Sequence, residues 1–541
     1  MTSIKTKLTE RLYELVEFES ITHSDGEREI DNLIYDKLFA LPYFQANPSY
    51  LQVHPTEDGR NLLTALVKKN SHAKTVILVS HFDVVDVEEY GQFKDLAFRP
   101  KELTDLFYKN KELLPDEIQK EIGAEGWVFG RGTMDMKAGL AIHMEMIEQA
   151  ISGEFDGNIL LLTVPDEEVN SLGMRSAIPV LLRLADEFGL DYQAVLNSEP
   201  QFTRYPGDEN NYLYTGSIGK VLPGFVCFGR EAHVGEPFSG LNATLLSSLL
   251  AAKLELNTDF CEQTDDEVSP PPTCLLQMDL KKEYSAKIPQ SSATLFNLFL
   301  QKKSLDQLIV ELLQVAEETA RETERLYHLR AQKFAELEKS KSGDVRINVL
   351  DYQDLVSYIT KQHGSEVIQE IFARAETADL NPRRRSIQIV DELGSMCKEL
   401  APMIVLFFAP PYYPPVNSSH DPVIQKTVKE LTAYASKQHG VDFKQQQYFG
   451  GISDLSYVGL EEPLAFVERF IKNMPVWHRD YWVPFEEMEK FQVPVINVGP
   501  LGKDAHQWTE RLDVAYSFGP FIDIFERTIK LLLKGDKSVR S

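Results

Sequence analysis

The chain has 541 residues, 43% of them hydrophobic and 26% charged, an ordinary balance for a globular protein long enough to hold more than one domain. A formal charge of −26 argues against nucleic-acid binding through a basic surface. Cys227, Cys261, Cys274 and Cys397 are widely spaced and form no Cys-x-x-Cys pair, which points to buried thiols in a reducing cytosol and against disulfide or cysteine-zinc frameworks.

The amino terminus lacks an apolar signal region, and no apolar run is long enough to span a bilayer, so a cytoplasmic protein without membrane contact is expected. Leu8, Leu12, Leu15 and Val16 fall at helical spacing and predict a first helix ending near Phe18; a second is expected at 27–39. After a strand at 61–67 comes Thr75-Val-Ile-Leu-Val-Ser-His-Phe-Asp83. Its β-branched and aliphatic start reads as a strand buried on both faces. His81 and Asp83, two apart, point to one side at the strand's carboxyl end, where open α/β sheets place their sites. By itself the pair reads more simply as a hydrogen-bonded strand end. Residues 88–125 read as a charged surface excursion with a helical patch at 111–122.

In Trp127-Val-Phe-Gly-Arg-Gly-Thr-Met-Asp-Met-Lys-Ala-Gly139, the glycines permit a tight loop before a helical pattern at 137–150. Asp135 sits at that junction, where a carboxylate suits an N-cap or, through both oxygens, a bridge between two cations. A second buried run at 158–164 ends in Asp166, Glu167 and Glu168, and a third at 193–198 ends in Glu199. Successive glutamates at a strand end face different ways, so one could ligate a metal while the other acts as a general base. A surface acidic pair is the simpler reading of that motif alone. Helical segments at 137–150 and 174–188 separate the runs, the βαβ rhythm of a mostly parallel sheet.

From about 212 the texture changes. A hairpin of 211–220 with 222–230, a helix at 243–256 and a strand at 274–280 are expected, then strongly helical chain over 291–340. Helices at 351–362 and 364–377 precede a break at Asn381-Pro-Arg-Arg-Arg385, whose arginines read as a solvated loop. An apolar strand at 403–409 is closed by Pro410-Pro-Tyr-Tyr-Pro-Pro415, a rigid link. The pattern therefore divides the chain into a catalytic part at 1–213, an inserted domain at 214–414 and a second catalytic part at 415–541. The last part carries a helix at 421–438, a glycine turn at 449–455, a strand at 494–498, His506 in a Gly-rich loop and a final helix at 518–534.

His81, Asp135, Glu168, Glu199 and His506 make a ligand set for two divalent ions, most simply zinc, with cobalt or manganese as substitutes. Glu167 is kept out of that set as the base. The strand ending in His81-Phe-Asp83, the Gly-Arg-Gly-Thr-Met-Asp135 loop, Asp-Glu167-Glu168, Ser-Glu199-Pro and the late His506 resemble the co-catalytic zinc peptidase family. Acetylornithine deacetylase, succinyl-diaminopimelate desuccinylase, aminoacylases and glutamate-releasing carboxypeptidases belong to that family. Overall the sequence looks closest to its arginine-utilisation branch, which carries a long inserted domain.

The resemblance implies a mixed, mostly parallel α/β catalytic domain flanked by helices and interrupted by an α+β lid or dimerisation domain enlarged by helices. It places His81, Asp135 and Glu199 around one metal and Asp135, Glu168 and His506 around the other, with Asp83 orienting His81 and Glu167 as the base. His233, in Ala232-His-Val-Gly-Glu-Pro-Phe-Ser-Gly-Leu-Asn-Ala, would stabilise the tetrahedral oxyanion, while Asn242 and Asp454 would contact substrate. The family's Gly-Thr-Asp-x-Arg turn here reads Gly451-Ile-Ser-Asp454-Leu-Ser, so its substrate-binding arginine is missing. The helical stretch at 283–400 exceeds that of typical members and leaves a homodimer through the inserted domain open. The expected activity is hydrolysis of an amide bond in an N-acyl amino acid or small peptide, in amino-acid or arginine catabolism. The alternative is a non-catalytic metal-binding scaffold that uses the inserted helices as a partner surface.

Overall fold

Three of the expected buried runs lie side by side in one sheet. In the computed structural model, which describes all residues except 1, 2, 70, 71, 124, 125, 206, 209, 282, 284, 342 and 536–541, the chain divides into two compact units. The first comprises Met1–Ile218, Val416–Leu460 and Pro484–Ser541; the second comprises Gly219–Pro415 and Glu461–Val483. Residues 461–483 thus pack with the second unit, although the sequence pattern groups all of the chain after 415 with the first.

The first unit is built on eight strands: β1 (Leu51–Pro55), β2 (Asn61–Val67), β3 (Lys74–His81), β4 (Asn158–Val164), β5 (Asp191–Asn197), β6 (Asn211–Tyr214), β7 (Phe443–Gln446) and β8 (Val495–Asn497). Their order across the sheet is β1-β2-β4-β3-β5-β8-β6-β7. β4, β3, β5 and β8 run parallel to one another, as do β6 and β7; antiparallel pairs occur at β1–β2, β2–β4 and β8–β6. Every residue of β4 is buried, as is all of β3 after Lys74. Burial on both faces explains why these strands read as unbroken apolar runs. Helices Ile4–Glu17, Lys137–Ser152, Pro422–His439 and Pro520–Leu533 share one apolar core with the sheet, while Leu172–Phe188 packs against β2 and β4.

In the second unit, five strands lie in the order Thr273–Asp279, Ser291–Leu300, Gly219–Phe228, Met403–Tyr413, Asn348–Asp351. Successive strands among the first four are antiparallel, and the last pair is parallel. Helices Ala243–Leu254, Leu305–Glu338 and Pro382–Met396 pack on this sheet or on each other.

Several expectations fail for identifiable reasons. There is no hairpin over 211–230: β6 pairs in parallel with β7, and Gly219–Phe228 belongs to the second unit's sheet. Ser291–Leu300 is a strand and not the start of the long helix. Leucines and phenylalanines buried on both faces hid its period. Asn381 and Pro382 begin a helix, Asn381 capping Arg384 with Pro at the first helical position, so Arg383, Arg384 and Arg385 lie in a first turn. Strand Met403–Tyr413 runs on through Pro410 and Pro411 into the proposed link. Residues 88–122 are no mere excursion, because Tyr90, Phe98, Leu103, Phe107 and Ile118 form a small apolar core with Phe129.

Candidate metal centre

β4, β3 and β5 are parallel neighbours, so their carboxyl ends lie on one edge and bring His81, the Asp166–Glu168 turn and Glu199 together. The Asp166 turn requires a left-handed residue, and Asp166 adopts φ +70°. A buried network fixes it: Arg60 reaches Glu27 at 2.8 Å and Asp166 at 3.0 Å, while Asp166 Oδ2 accepts the Leu172 amide at 2.9 Å. Helix Lys137–Ser152 approaches the end of β5 closely at Gly139, where an added Cβ would stand 2.8 Å from the Ser198 carbonyl oxygen. This contact draws the Asp135 loop toward Glu199.

Asp135 is not the N-cap of its helix. Met136 occupies that position, and no side chain caps it. Instead, Asp135 Oδ1 lies 3.3 Å from His81 Nε2, and Oδ2 lies 3.3 Å from His506 Nε2. His506 Nε2 is also 3.1 Å from Glu168 Oε2, and His81 Nε2 is 3.5 Å from Glu199 Oε1 and 3.9 Å from Glu167 Oε2. One carboxylate thus stands between two imidazoles, with a further acid beside each. Among the described residues, one potential ligand atom from each of His81, Asp135 and Glu168 falls within 4.8 Å of the others.

His81 Nδ1 is 3.0 Å from the Asp83 carbonyl oxygen and 3.5 Å from its carboxylate. The carbonyl can only accept, so Nδ1 donates to it and Nε2 is the ring nitrogen turned toward the acids. The Asp83 carboxylate has other partners: the Glu167 amide at 3.1 Å, the Glu168 amide at 3.3 Å and the Thr22 hydroxyl at 2.9 Å.

Electrostatics marks the cluster as short of positive charge. Burial disfavours a charged imidazole at His81, yet Glu199, Asp135 and Asp83 hold its pKa well above the ordinary value. His506 is raised to about 11 by Asp135 and Glu168 against its burial. Burial pushes Glu167 well up; His81 opposes this, while Glu199, Asp454 and Glu168 reinforce it. Glu199 is raised in the same way. Glu168 Oε1 and Glu199 Oε1 are buried without a hydrogen-bond partner among the described residues. Buried carboxylate oxygens are normally paired or coordinate a cation, so an oxygen-rich set with two imidazoles fits borderline divalent ions.

Asp454, in the Gly-Gly-Ile-Ser-Asp turn, is 2% exposed, and burial raises it to about 7 despite His81 and Ser171. His233 and Asn242 belong to the second unit. His233 is exposed and accepts the Gly235 amide at Nδ1, while the Asn242 side-chain oxygen caps helix Ala243–Leu254. Sequence reasoning missed Glu510. Fully buried, it pairs with Arg131 and accepts the Met134 amide at 3.2 Å, tying the Asp135 loop to the His506 loop. In Thr509-Glu-Arg-Leu-Asp513 an acid among other charges carries no local signal, and its partner lies almost four hundred residues earlier.

Residues 77–531 match the sequence model of Peptidase family M20/M25/M40. The chain is 47% identical over 536 residues to protein YqjN of Bacillus subtilis (strain 168), covering 99% of this chain and 98% of that protein. It is 31% identical to Protein RocB of the same organism, with coverages of 96% and 94%. A succinyl-diaminopimelate desuccinylase of Wolbachia pipientis wMel is 25% identical over 288 residues, covering 52% of this chain and 62% of that protein. Among solved structures, an M20 family metallo-carboxypeptidase of Sulfolobus solfataricus shares the fold, with a TM-score of 0.55 at 12% identity and coverages of 97% and 99%. A tripeptidase of Staphylococcus aureus does so with a TM-score of 0.52 at 13% identity and coverages of 98% and 99%.

Proposed function

Because the chain belongs to peptidase family M20/M25/M40, we propose that it is a two-metal amidohydrolase acting on N-acyl amino acids or short peptides. The observation that carries this is the placement of Asp135 between His81 and His506, at 3.3 Å from each. His81, Asp135 and Glu199 would hold one ion, and Asp135, Glu168 and His506 the other. When bound, such a pair supplies Lewis acidity for the scissile carbonyl and lowers the pKa of water from 15.7 to about 7.

The protein's own groups do the rest. Glu167, beside Glu168 and 3.9 Å from His81, takes a proton from the attacking water as its oxygen bonds to the carbonyl carbon. Glu167 then delivers that proton to the amide nitrogen as the C–N bond breaks, so the products are a carboxylic acid and an amine. Asp83 keeps both glutamates in place through their amides. Asp454 would contact substrate, and we assign the second unit a lid or dimerisation role; for His233 and Asn242 the family resemblance implies oxyanion stabilisation and substrate contact.

The desuccinylase relative supports N-acyl amino acids as substrates, and the family resemblance suggests a place in amino-acid or arginine catabolism. A cytoplasmic location agrees with the chemistry of such substrates. No helix among the described residues is long and apolar enough to cross a membrane. The test is hydrolysis of a panel of N-acyl amino acids and dipeptides, N-acyl-arginine included, with and without zinc or cobalt. Turnover only with metal is expected. Metal uptake without turnover across the panel would overturn hydrolysis and favour a metal-binding scaffold.

A further inference from the structure

Of the ligand candidates, His506 has the least packing around it, with 49% of its side chain exposed. Its backbone is left-handed at φ +62°, and Asp504 two residues earlier is left-handed at +60°. Residues with a Cβ hold that conformation only where their surroundings over-determine it. The turn therefore needs a brace, and one is present among residues that touch neither imidazole.

Arg511 is 2% exposed, and its guanidinium lies over the Trp127 ring, 5.2 Å from the centroid. Nη1 donates to Asp504 Oδ2 and, at 3.1 Å, to the Thr509 carbonyl oxygen; Nη2 donates to Glu121 Oε2 at 2.7 Å. The Thr509 hydroxyl also donates to Asp504 Oδ2, at 2.8 Å, and Lys503 pairs with the other oxygen of Glu121. Lys503 and Asp504, which open the His506 turn, are thus both anchored to Glu121 at the end of helix Asp116–Glu121. Phe93 stacks on Trp508, 5.6 Å between centroids, two residues beyond His506. The segment at 88–122 therefore braces the His506 turn on both sides.

We propose that Arg511 is a positioning residue for His506: by joining Asp504 to Glu121 it fixes the turn from which His506 reaches Asp135 and Glu168. It thereby sets the affinity of the second ion separately from the first, which His81 and Glu199 hold from the sheet edge. This rests on the two-ion assignment above. A guanidinium can bridge two carboxylates in a fixed fork, whereas a lysine ammonium is a point charge on a flexible stem.

Metal-free, full-length wild type, Arg511→Gln, Arg511→Lys and Glu121→Gln are titrated with Co²⁺, following heat and the visible absorbance of each bound ion. The wild type should take up two ions. In Arg511→Gln and Glu121→Gln the second should bind about 10-fold or more weakly, while the first stays within about 2-fold. Arg511→Lys should recover part of the difference. Glu121 is partly exposed, so Glu121→Gln carries the test if Arg511→Gln does not fold. Equal weakening of both ions would make Arg511 a general structural residue and overturn the inference, as would unchanged affinities in Glu121→Gln and Arg511→Lys. Fewer than two ions in the wild type would instead overturn the two-ion assignment, and this inference with it.

Discussion

The carboxylate of Asp83 accepts the backbone amide of Glu167 at 3.1 Å and that of Glu168 at 3.3 Å. One buried acid just past β3 thus sets where the two glutamates beyond β4 begin, while its own carbonyl orients the His81 ring. Burial would raise the Asp83 carboxyl, but His81, Thr22 and the Glu167 amide hold it below the usual range, so it stays an acceptor. Asp83→Asn keeps one acceptor oxygen and places an NH₂ where two donors already point. Metal affinity and kcat/KM should each fall by about 10- to 100-fold. Turnover assays together with metal titration check this; unchanged metal affinity would leave Asp83 as a fold residue only.

Glu167→Gln separates binding from chemistry. The glutamine is nearly isosteric and cannot take a proton from water, while the five ligand candidates remain. Metal stoichiometry should be retained, KM should change little, and kcat should fall by about 10²- to 10⁴-fold. A variant with full activity would remove Glu167 as the base.

Chelation tests the fit of the cluster to cations. Without metal, Glu168 Oε1 and Glu199 Oε1 remain buried without a hydrogen bond among the described residues, in an acid-rich pocket, so the metal-free protein should be inactive and melt at lower temperature. Restoring zinc, cobalt or manganese at about 100 times the dissociation constant should add about 2.7 kcal/mol per independent site. Differential scanning calorimetry with and without chelator reads this directly. Equal melting temperatures in both conditions would argue against a metal at these residues.

The sheet of the first unit was legible because parallel strands buried on both faces leave continuous apolar runs, and three such runs each end in a ligand-type residue. The same property misled at Ser291–Leu300, where an apolar strand next to a long helix shows no period of its own. Asp135 could be placed at a loop–helix junction, but nothing local distinguishes a cap from a bridge. That choice is made by His81 and His506, which lie far away in sequence. Glu510, Arg511 and Glu121 were illegible for the same reason: a buried charge is recognised by its partner, and each partner comes from a distant segment. The Asn-Pro pair at 381–382 did carry a readable signal, an N-cap followed by proline at the first helical position.

His54 gives a stability test away from the metal centre. It lies on β1 and is 8% exposed, with Nε2 2.9 Å from the Thr64 hydroxyl oxygen and Nδ1 3.2 Å from Arg183 Nη2. A guanidinium only donates, so Nδ1 accepts with its lone pair and the single proton sits on Nε2. Burial, then the Arg183 charge, lowers its pKa to about 4, against about 6.5 in an unfolded chain. Between those values the unfolded state binds more protons, so stability falls as pH drops from about 6.5 to about 4 and this contribution is complete below that. The slope from this one group is at most about 1.4 kcal/mol per pH unit. His54→Gln can keep a bond to Thr64 without titrating, so its urea-unfolding free energy should fall less than that of the wild type between pH 7 and pH 4.5. Parallel curves for the two proteins would show that His54 is not buried as the neutral imidazole.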